Sequence, residues 1–237
     1  MTKLSVNINK IATIRNARGG NIPNVTEAAI RCQKFGAQGI TVHPRPDERH
    51  IRYQDVREIR PIITTEFNIE GYPSQRFLDL VLEVKPHQAT LVPDSHDVIT
   101  SNQGWNVIKY EKFLRDVIAE LQQNGIRTSL FIETDLEQIE RAAATGTNRI
   151  ELYTEPYASK YPVDPEKAVG PYIRAAKKAA EIGLELNAGH DLSLENLRYF
   201  KQHVPGLLEV SIGHALISEA LYTGLERTIQ LYLEQIS

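Results

Sequence analysis

The residues able to do chemistry in this sequence stand where short β-rich runs finish. His43 ends Gly39–His43, Asn68 and Glu70 end Glu66–Glu70, and Glu151 lies near the end of Asn148–Leu152. His190 follows Asn187-Ala188-Gly189, and His214 follows Ser211-Ile212-Gly213. Asn7 and Asn9 close the first run, with Lys10, Arg15 and Arg18 close behind. Imidazole titrates near neutral pH, and burial can bring a carboxylate there, so such a set suits proton transfer to and from carbon and oxygen. Alternate strand residues share a face, which puts Asn68 and Glu70 on one side. Glu70 then reads as a general base or as half of a buried ion pair. Glu151 reads equally as an acid–base group or as a partner of Arg149 or Arg18. Three further histidines, His87, His96 and His203, fall outside this pattern and read as surface or packing residues.

Two glycines, Gly189 and Gly213, sit at strand-to-helix turns in the last quarter of the chain. Barrel enzymes often hold a phosphate there, on backbone N–H groups at a helix N-terminus. Arg18, Arg45 and Arg52 have the fork geometry to grip a second anion. Two other chemistries stay open. A Schiff-base aldolase needs a lysine in the pocket, and Lys10 is the nearest one. A metal hydrolase could draw ligands from His43, Glu70, Glu151 and His190, but the first run carries Asn-Ile-Asn where a histidine pair would be wanted. Acid–base catalysis by two histidines and two glutamates, with no metal and no cofactor, is the simplest reading.

The elements that must position these groups follow from hydrophobic patterning. Eight strands are expected: Leu4–Ile8, Gly39–His43, Glu66–Glu70, Gln88–Val92, Arg127–Ile132, Asn148–Leu152, Leu184–Ala188 and Leu207–Ile212. Helical segments lie between them: Thr26 to Lys34, Gln54 to Ile59, Ser74 to Val84, Val107 to Gln123, Asp135 to Ala144, Glu166 to Ile182, a segment opening at Ser193, and a last one from Ala215 to Ile236. Gly170-Pro171 predicts a kink or restart inside the sixth. Strict alternation implies parallel strands, and eight units in 237 residues favour a single-domain (β/α)8 TIM barrel over residues 1–237. The rival open doubly wound sheet usually carries a G-x-G-x-x-G turn after its first strand, and none stands here. The loop from Asp94 to Trp105 is long for such a barrel and reads as a lid or interface piece.

Composition narrows the class. Lys+Arg total 27 against Asp+Glu 30, a net charge of -3, so no basic excess points to nucleic acid. A single cysteine, Cys32, excludes an intrachain disulfide and a multi-cysteine metal site. It falls on the apolar stripe of Val25, Ala28, Ala29 and Phe35, which predicts packing. No run approaches the ~20 apolar residues of a membrane span, and the first residues carry no secretory h-region. A cytoplasmic protein is expected.

Several blocks resemble the pyridoxine 5'-phosphate synthase family. They are the opening from Val6 to Gly19, Gly39 to Arg45 with Arg49-His50-Ile51, and Asn68-Ile69-Glu70. Leu91-Val92-Pro93, Ser129 to Ile132, Asn187 to His190 and Ile212 to Ala215 follow in the same order. The resemblance implies a (β/α)8 barrel assembled as a homo-octamer. It implies a transferase-type condensing enzyme of vitamin B6 biosynthesis, joining 1-deoxy-D-xylulose 5-phosphate to 3-amino-2-oxopropyl phosphate without cofactor or metal. By resemblance His43 and Glu70 accept protons, His190 donates one and Glu151 stabilises charge in the transition state. Asn7, Arg18, Gly213 and His214 would hold the amino-ketone phosphate, and Arg45, His50 and Thr100 the sugar phosphate. Two positions depart from the family's pattern. Asn9-Lys10 stands where Asp-His is frequent, at the sugar-phosphate contact. Asp191 stands where Gly is frequent, beside the amino-ketone site, where its backbone N–H is the group suited to bind.

Overall fold

The computed structural model describes residues 1–93 and 103–237. Thr100 and His96 therefore lie outside the described residues, as does most of the expected lid loop. Eight parallel strands close into a barrel in sequence order: β1 (Lys3–Asn7), β2 (Gly39–Val42), β3 (Glu66–Gly71), β4 (Gln88–Leu91), β5 (Arg127–Ile132), β6 (Arg149–Leu152), β7 (Glu185–Gly189) and β8 (Leu207–Ile212). Closure is made by β1 against β8, with Lys3 opposite Glu209 and Ser5 opposite Ser211. Every expected strand is present within two residues of its expected ends.

Closure converts the two-residue period of each strand into an inside and an outside. The outward set is apolar and fully buried under helices: Leu4, Val6, Ile40, Val42, Phe67, Ile69, Leu130, Ile150, Val210 and Ile212. The inward set is mostly polar, with Phe131 of β5 an apolar exception. Ser5 and Thr41 share a hydrogen bond of 2.7 Å, and Thr90 donates to Asn68 at 3.0 Å. At the base Glu66 meets Arg127, with Arg149 at 3.8 Å and Lys3 at 3.9 Å. Arg149 also binds Glu185 at 2.6 Å. Buried Glu209 lies opposite Lys3, its carboxyl raised by burial and drawn back by Arg149, Arg127 and Lys3.

The helices are α1 (Asn9–Asn16), α2 (Val25–Lys34), α3 (Tyr53–Ile59), α4 (Gln75–Val84), α5 (Val107–Gln123), α6 (Leu136–Ala144), α7 (Glu155–Lys160), α8 (Pro165–Glu181), α9 (Leu197–His203), α10 (His214–Thr223) and α11 (Leu225–Ile236). Ser74, Asn106 and Asp135 cap α4, α5 and α6 through their side-chain oxygens. Cys32 is fully buried on α2, and burial pushes its thiol up to about 12, which makes it an inert packing group.

Four expectations need correction. The closing segment is two helices, because Gly224 adopts φ 81°, a backbone that favours glycine, and ends α10. Of the two outcomes expected at Gly170-Pro171, a kink or a restart, the restart is the one corrected, since α8 runs through as one helix. The one hydrogen bond that proline removes is offset by burying Val169, Tyr172, Ala175, Ala176 and Ala179. α9 opens at Leu197, four residues after Ser193, since Ser193 to Asn196 form turns in which Asn196 accepts from the Ser193 N–H at 2.9 Å. α1 and α7 were not foreseen. Each buries few apolar groups, so neither shows a helical stripe.

Gly189 ends β7 where a Cβ would lie 2.0 Å from the Ser211 carbonyl oxygen, the atom that accepts from the His190 N–H at 3.0 Å. Gly189→Ala should therefore lower the unfolding free energy by about 2–3 kcal/mol through overpacking, as read by urea denaturation.

Candidate active site

The carboxyl ends of the strands open into a cavity of about 950 Å³. Asn7, Asn9, Lys10, His43, Arg45, His50, Glu70, Glu151, His190, Asp191, Gly213 and His214 all line it. Of the sequence-predicted site residues, Arg18 is exposed on the turn after α1 and is not in the lining, and Thr100 lies outside the described residues. Arg52 also stays outside, its guanidinium donating to Asn16 at 3.1 Å.

The proton-transfer groups come from strand ends. His43 Nδ1 is 4.0 Å from Glu70 Oε2, with side chains only 8% and 13% exposed. Burial holds the His43 imidazole well below its ordinary value, with Arg45, His50, His190 and Arg49 adding to the effect. It is neutral at physiological pH and able to take a proton. The pair is set by the end of β1 and the start of α1. Asn7 Nδ2 donates to Glu70 at 3.4 Å, Asn7 Oδ1 accepts from the Asn9 N–H at 3.0 Å, and Asn9 Oδ1 accepts from the His43 N–H at 2.9 Å.

Glu151 is 3% exposed, and among the described residues its Oε2 has no hydrogen-bond partner. The expected partner Arg149 is taken by Glu185 and Glu66. Burial raises the Glu151 carboxyl well above the ordinary range, and the like charges of Glu70 and Glu209 raise it further. The protonated form, which can donate a hydrogen bond, is therefore favoured more than in an ordinary carboxyl.

Cations enter from loops. Arg45 and Arg49 follow β2, and Arg49 binds Asp47 at 2.7 Å. His50 Nδ1 accepts from the Ile51 N–H at 2.9 Å, which leaves Nε2 as the protonated nitrogen. Burial, then Arg45, Lys10 and Arg49, push His50 down to about 4, so it is a neutral donor. This loop is pinned from below by fully buried Arg15, which binds Asp55 at 2.6 and 2.9 Å and donates to the His50 carbonyl at 3.1 Å. At the opposite side Gly213 precedes α10, and a Cβ there would press on Asn7 at 3.1 Å. Gly189 differs. It serves strand packing and is not in the lining.

Sequence reasoning missed Thr13, Arg49, Phe131, Glu155, Ser159 and Ser211, which also line the cavity. Arg49 had a signal, lying beside His50 in a loop already rich in cations. Glu155 and Ser159 had none, because α7 was not foreseen. His87 and His203 are structural as expected. His87 Nδ1 accepts from the Phe67 N–H at 2.9 Å, and His203 stacks on Tyr199. Among the described residues no three His, Cys, Asp or Glu side chains converge as metal ligands would. No described helix is long and apolar enough to cross a membrane.

A family model described as "Pyridoxal phosphate biosynthesis protein PdxJ" matches residues 4–237. The chain belongs to this family. It is 61% identical over 236 residues to a pyridoxine 5'-phosphate synthase of Flavobacterium johnsoniae, covering 100% of both chains. It is 65% identical over 232 residues to one of Bacteroides fragilis, covering 98% of each. Among solved structures it is similar to phosphoribosyl anthranilate isomerase from Thermotoga maritima (TM-score 0.62, 13% identity, 100% and 98% covered). It is likewise similar to thiamine phosphate pyrophosphorylase from Pyrococcus furiosus (TM-score 0.63, 12% identity, 99% and 95% covered). At such identity those two show the barrel fold alone.

Glu151 binds a proton on folding, so its contribution to stability is complete below the ordinary value of 4.5 and is lost as pH rises to its raised folded value. Glu151→Gln removes that loss. Its stability relative to wild type should grow by up to about 1.4 kcal/mol per pH unit in that window, in urea denaturation at about pH 5, 7 and 9. A gap independent of pH would mean that Glu151 folds ionised.

Proposed function

We propose that the protein is a pyridoxine 5'-phosphate synthase, condensing 3-amino-2-oxopropyl phosphate with 1-deoxy-D-xylulose 5-phosphate to give pyridoxine 5'-phosphate, phosphate and water. The observation that carries this reading is one cavity holding the neutral imidazole of His43 beside Glu70, the buried carboxyl of Glu151 and His190, between a cationic loop and the α10 N-terminus. A volume of about 950 Å³ suits two small phosphates held together. The substrate amine attacks the sugar ketone itself, so no enzyme lysine is required, and Lys10 serves as a charge. His43 and Glu70 take protons from carbon, His190 gives protons to departing oxygens, and Glu151 donates a hydrogen bond where negative charge develops. The carbon skeleton of the product keeps the amino-ketone phosphate and loses the sugar phosphate. Arg45, His50, Lys10, Asn9 and Thr100 would grip the sugar phosphate. Asn7, Gly213, His214 and the free N–H groups of α10 would grip the other, with Arg18 as a further cation. Holding both reactants in one orientation removes much of the entropic barrier. We place the enzyme in the cytoplasm as a homo-oligomer, an octamer by resemblance. Exposed Ile22, Val163, Leu221 and Tyr222 support subunit contacts.

The test is to incubate the purified chain, treated with a chelator, with both phosphates and to follow a pyridine chromophore and released phosphate. Product from both is expected. Binding without product would indicate a phosphate-ligand sensor, and chelator-sensitive turnover a metal enzyme. Glu70→Gln should lower kcat at least about a hundredfold with a much smaller change in KM. Full turnover by that variant would remove Glu70 from the proton chain.

A further inference from the structure

Asp191 was expected as a substrate contact through its backbone N–H, and the structure gives that N–H another partner. It donates to Thr154 Oγ1 at 3.1 Å. The same hydroxyl, fully buried, donates to the Gly189 carbonyl at 2.5 Å, and Asn196 Nδ2 donates to the Asp191 carbonyl at 3.4 Å. His190 itself sits at φ 43°, a left-handed conformation that costs a non-glycine residue energy and must be enforced by its surroundings. Its N–H is held by Ser211 of β8. Both residues are thus fastened from β8 and from the end of β6, and in that arrangement the Asp191 carboxylate turns onto the imidazole, with Oδ2 at 3.0 Å from His190 Nδ1.

We propose that Asp191 is a positioning residue for His190, a carboxylate–imidazole dyad that fixes which ring nitrogen exchanges protons with substrate. An ionised carboxylate only accepts hydrogen bonds, so the facing Nδ1 carries the proton and Nε2 is left as the exchanging nitrogen. The carboxylate also stabilises the imidazolium, the form that a proton donor must hold before it acts. When Nε2–H gives its proton to a departing oxygen, the N–H bond breaks and an O–H bond forms. The imidazole becomes neutral with Nδ1–H retained, and Asp191 stays ionised throughout. The pairing also explains how a carboxylate is tolerated beside a phosphate-binding cavity. Its charge is spent on the imidazolium, and the pair is neutral overall. Phe131 and Tyr153 lie against the His190 ring, each at 6.3 Å between centroids. Among the described residues, the titratable groups sharing the cavity include Glu70, Glu151 and Glu155, which favour the imidazolium when ionised, and His43, His50, His214, Lys10, Arg45 and Arg49, which oppose it when charged. Asp191 is in hydrogen-bond contact with the ring.

The catalytic consequence rests on the condensing activity proposed above, whereas the dyad itself stands on geometry, and the experiment separates the two. The free protein is labelled at histidine with ¹⁵N and ¹³C, and the His190 resonances are assigned by their absence in His190→Gln. The expected result is a neutral imidazole protonated at Nδ1. Because the two side chains are 33% and 28% exposed, solvent moderates the pairing, and the His190 titration midpoint should fall by about one pH unit in Asp191→Asn. The alkaline arm of the kcat profile should move down with it, so the variant loses about tenfold at high pH and converges on wild type at lower pH. A purely structural Asp191 would instead depress kcat at every pH and leave that arm in place. Neutral His190 protonated at Nε2 in the wild type, or an unchanged midpoint in Asp191→Asn, overturns the proposal, and the first readout is made on the wild-type protein. A wild type with the dyad but no pyridine product would overturn the activity instead.

Discussion

Closure between β1 and β8 is the constraint on which the molecule depends. Until it is made, an alternating strand has two faces of equal standing. Once made, one face lies under helices and the other faces an axis from which water is largely excluded. Barrels of this kind usually fill the axis with branched apolar side chains. Here Ser5, Thr41, Asn68, Gln88, Thr90, Ser129, Asn187 and Ser211 occupy buried positions on the strands, and ionic groups close the base. Burying such groups is costly unless they are paired. The lower part therefore compensates itself, with Glu66 among Arg127, Arg149 and Lys3. The pairing stops short of Glu151, whose Oε2 lacks a protein donor and whose neighbours are carboxylates. A barrel that neutralises its base but leaves this carboxyl without a donor higher up biases it toward the protonated form without any further device.

The rim is divided by origin. Strand ends contribute the groups that carry protons, and loops contribute fixed positive charge. The two are coupled, because the arginines that would attract phosphate also suppress protonation of His43 and His50. One set of cations thus serves both binding and the readiness of a base. That coupling needs the 44–50 loop to hold its shape, and it is anchored twice. Arg15 clamps Asp55 and the His50 carbonyl beneath it. Arg76, stacked on Tyr53 at 4.1 Å, donates to the Pro46 carbonyl at 3.2 Å. Arg15 illustrates why a buried ion pair is kept: its value is in fixing where a loop lies, since such pairs add little net stability.

The strands were legible because each is short and bounded by turn residues, and because their outward face is apolar at nearly every position, Thr128 of β5 being an exception. The site was legible for the same reason, since polar side chains at strand ends in a barrel have one place to go. What escaped detection was held together by contacts that leave no periodic trace. α1 is pinned by the charge of Arg15, and α7 by the Tyr157 hydroxyl on the Asn196 carbonyl at 2.8 Å. Neither is visible to a search for apolar spacing. The two glycine turns looked alike in sequence and proved different, because Gly189 is required by the approach of β8 and Gly213 by the side chain of Asn7. The barrel's interior polarity was present in the letters, but reading it as interior required closure to be known first.

That last glycine shows how the base pair at the centre is built. Absence of a Cβ at Gly213 lets Asn7 stand close to β8, and from there its amide reaches Glu70 while its carbonyl oxygen takes the Asn9 N–H. Asn9 in turn takes the His43 N–H. Two asparagines of neighbouring position therefore locate both members of the His43–Glu70 pair, one by its side chain and the other by its backbone. The amide at position 9 suits this task in a specific way. A carboxylate there would accept the same hydrogen bond, but it would add negative charge beside His43 and draw the imidazole toward its protonated form. An amide supplies the acceptor without the charge, so burial and the nearby arginines keep His43 neutral. Asn9 thus fixes the geometry of the base while favouring the protonation state in which it can act.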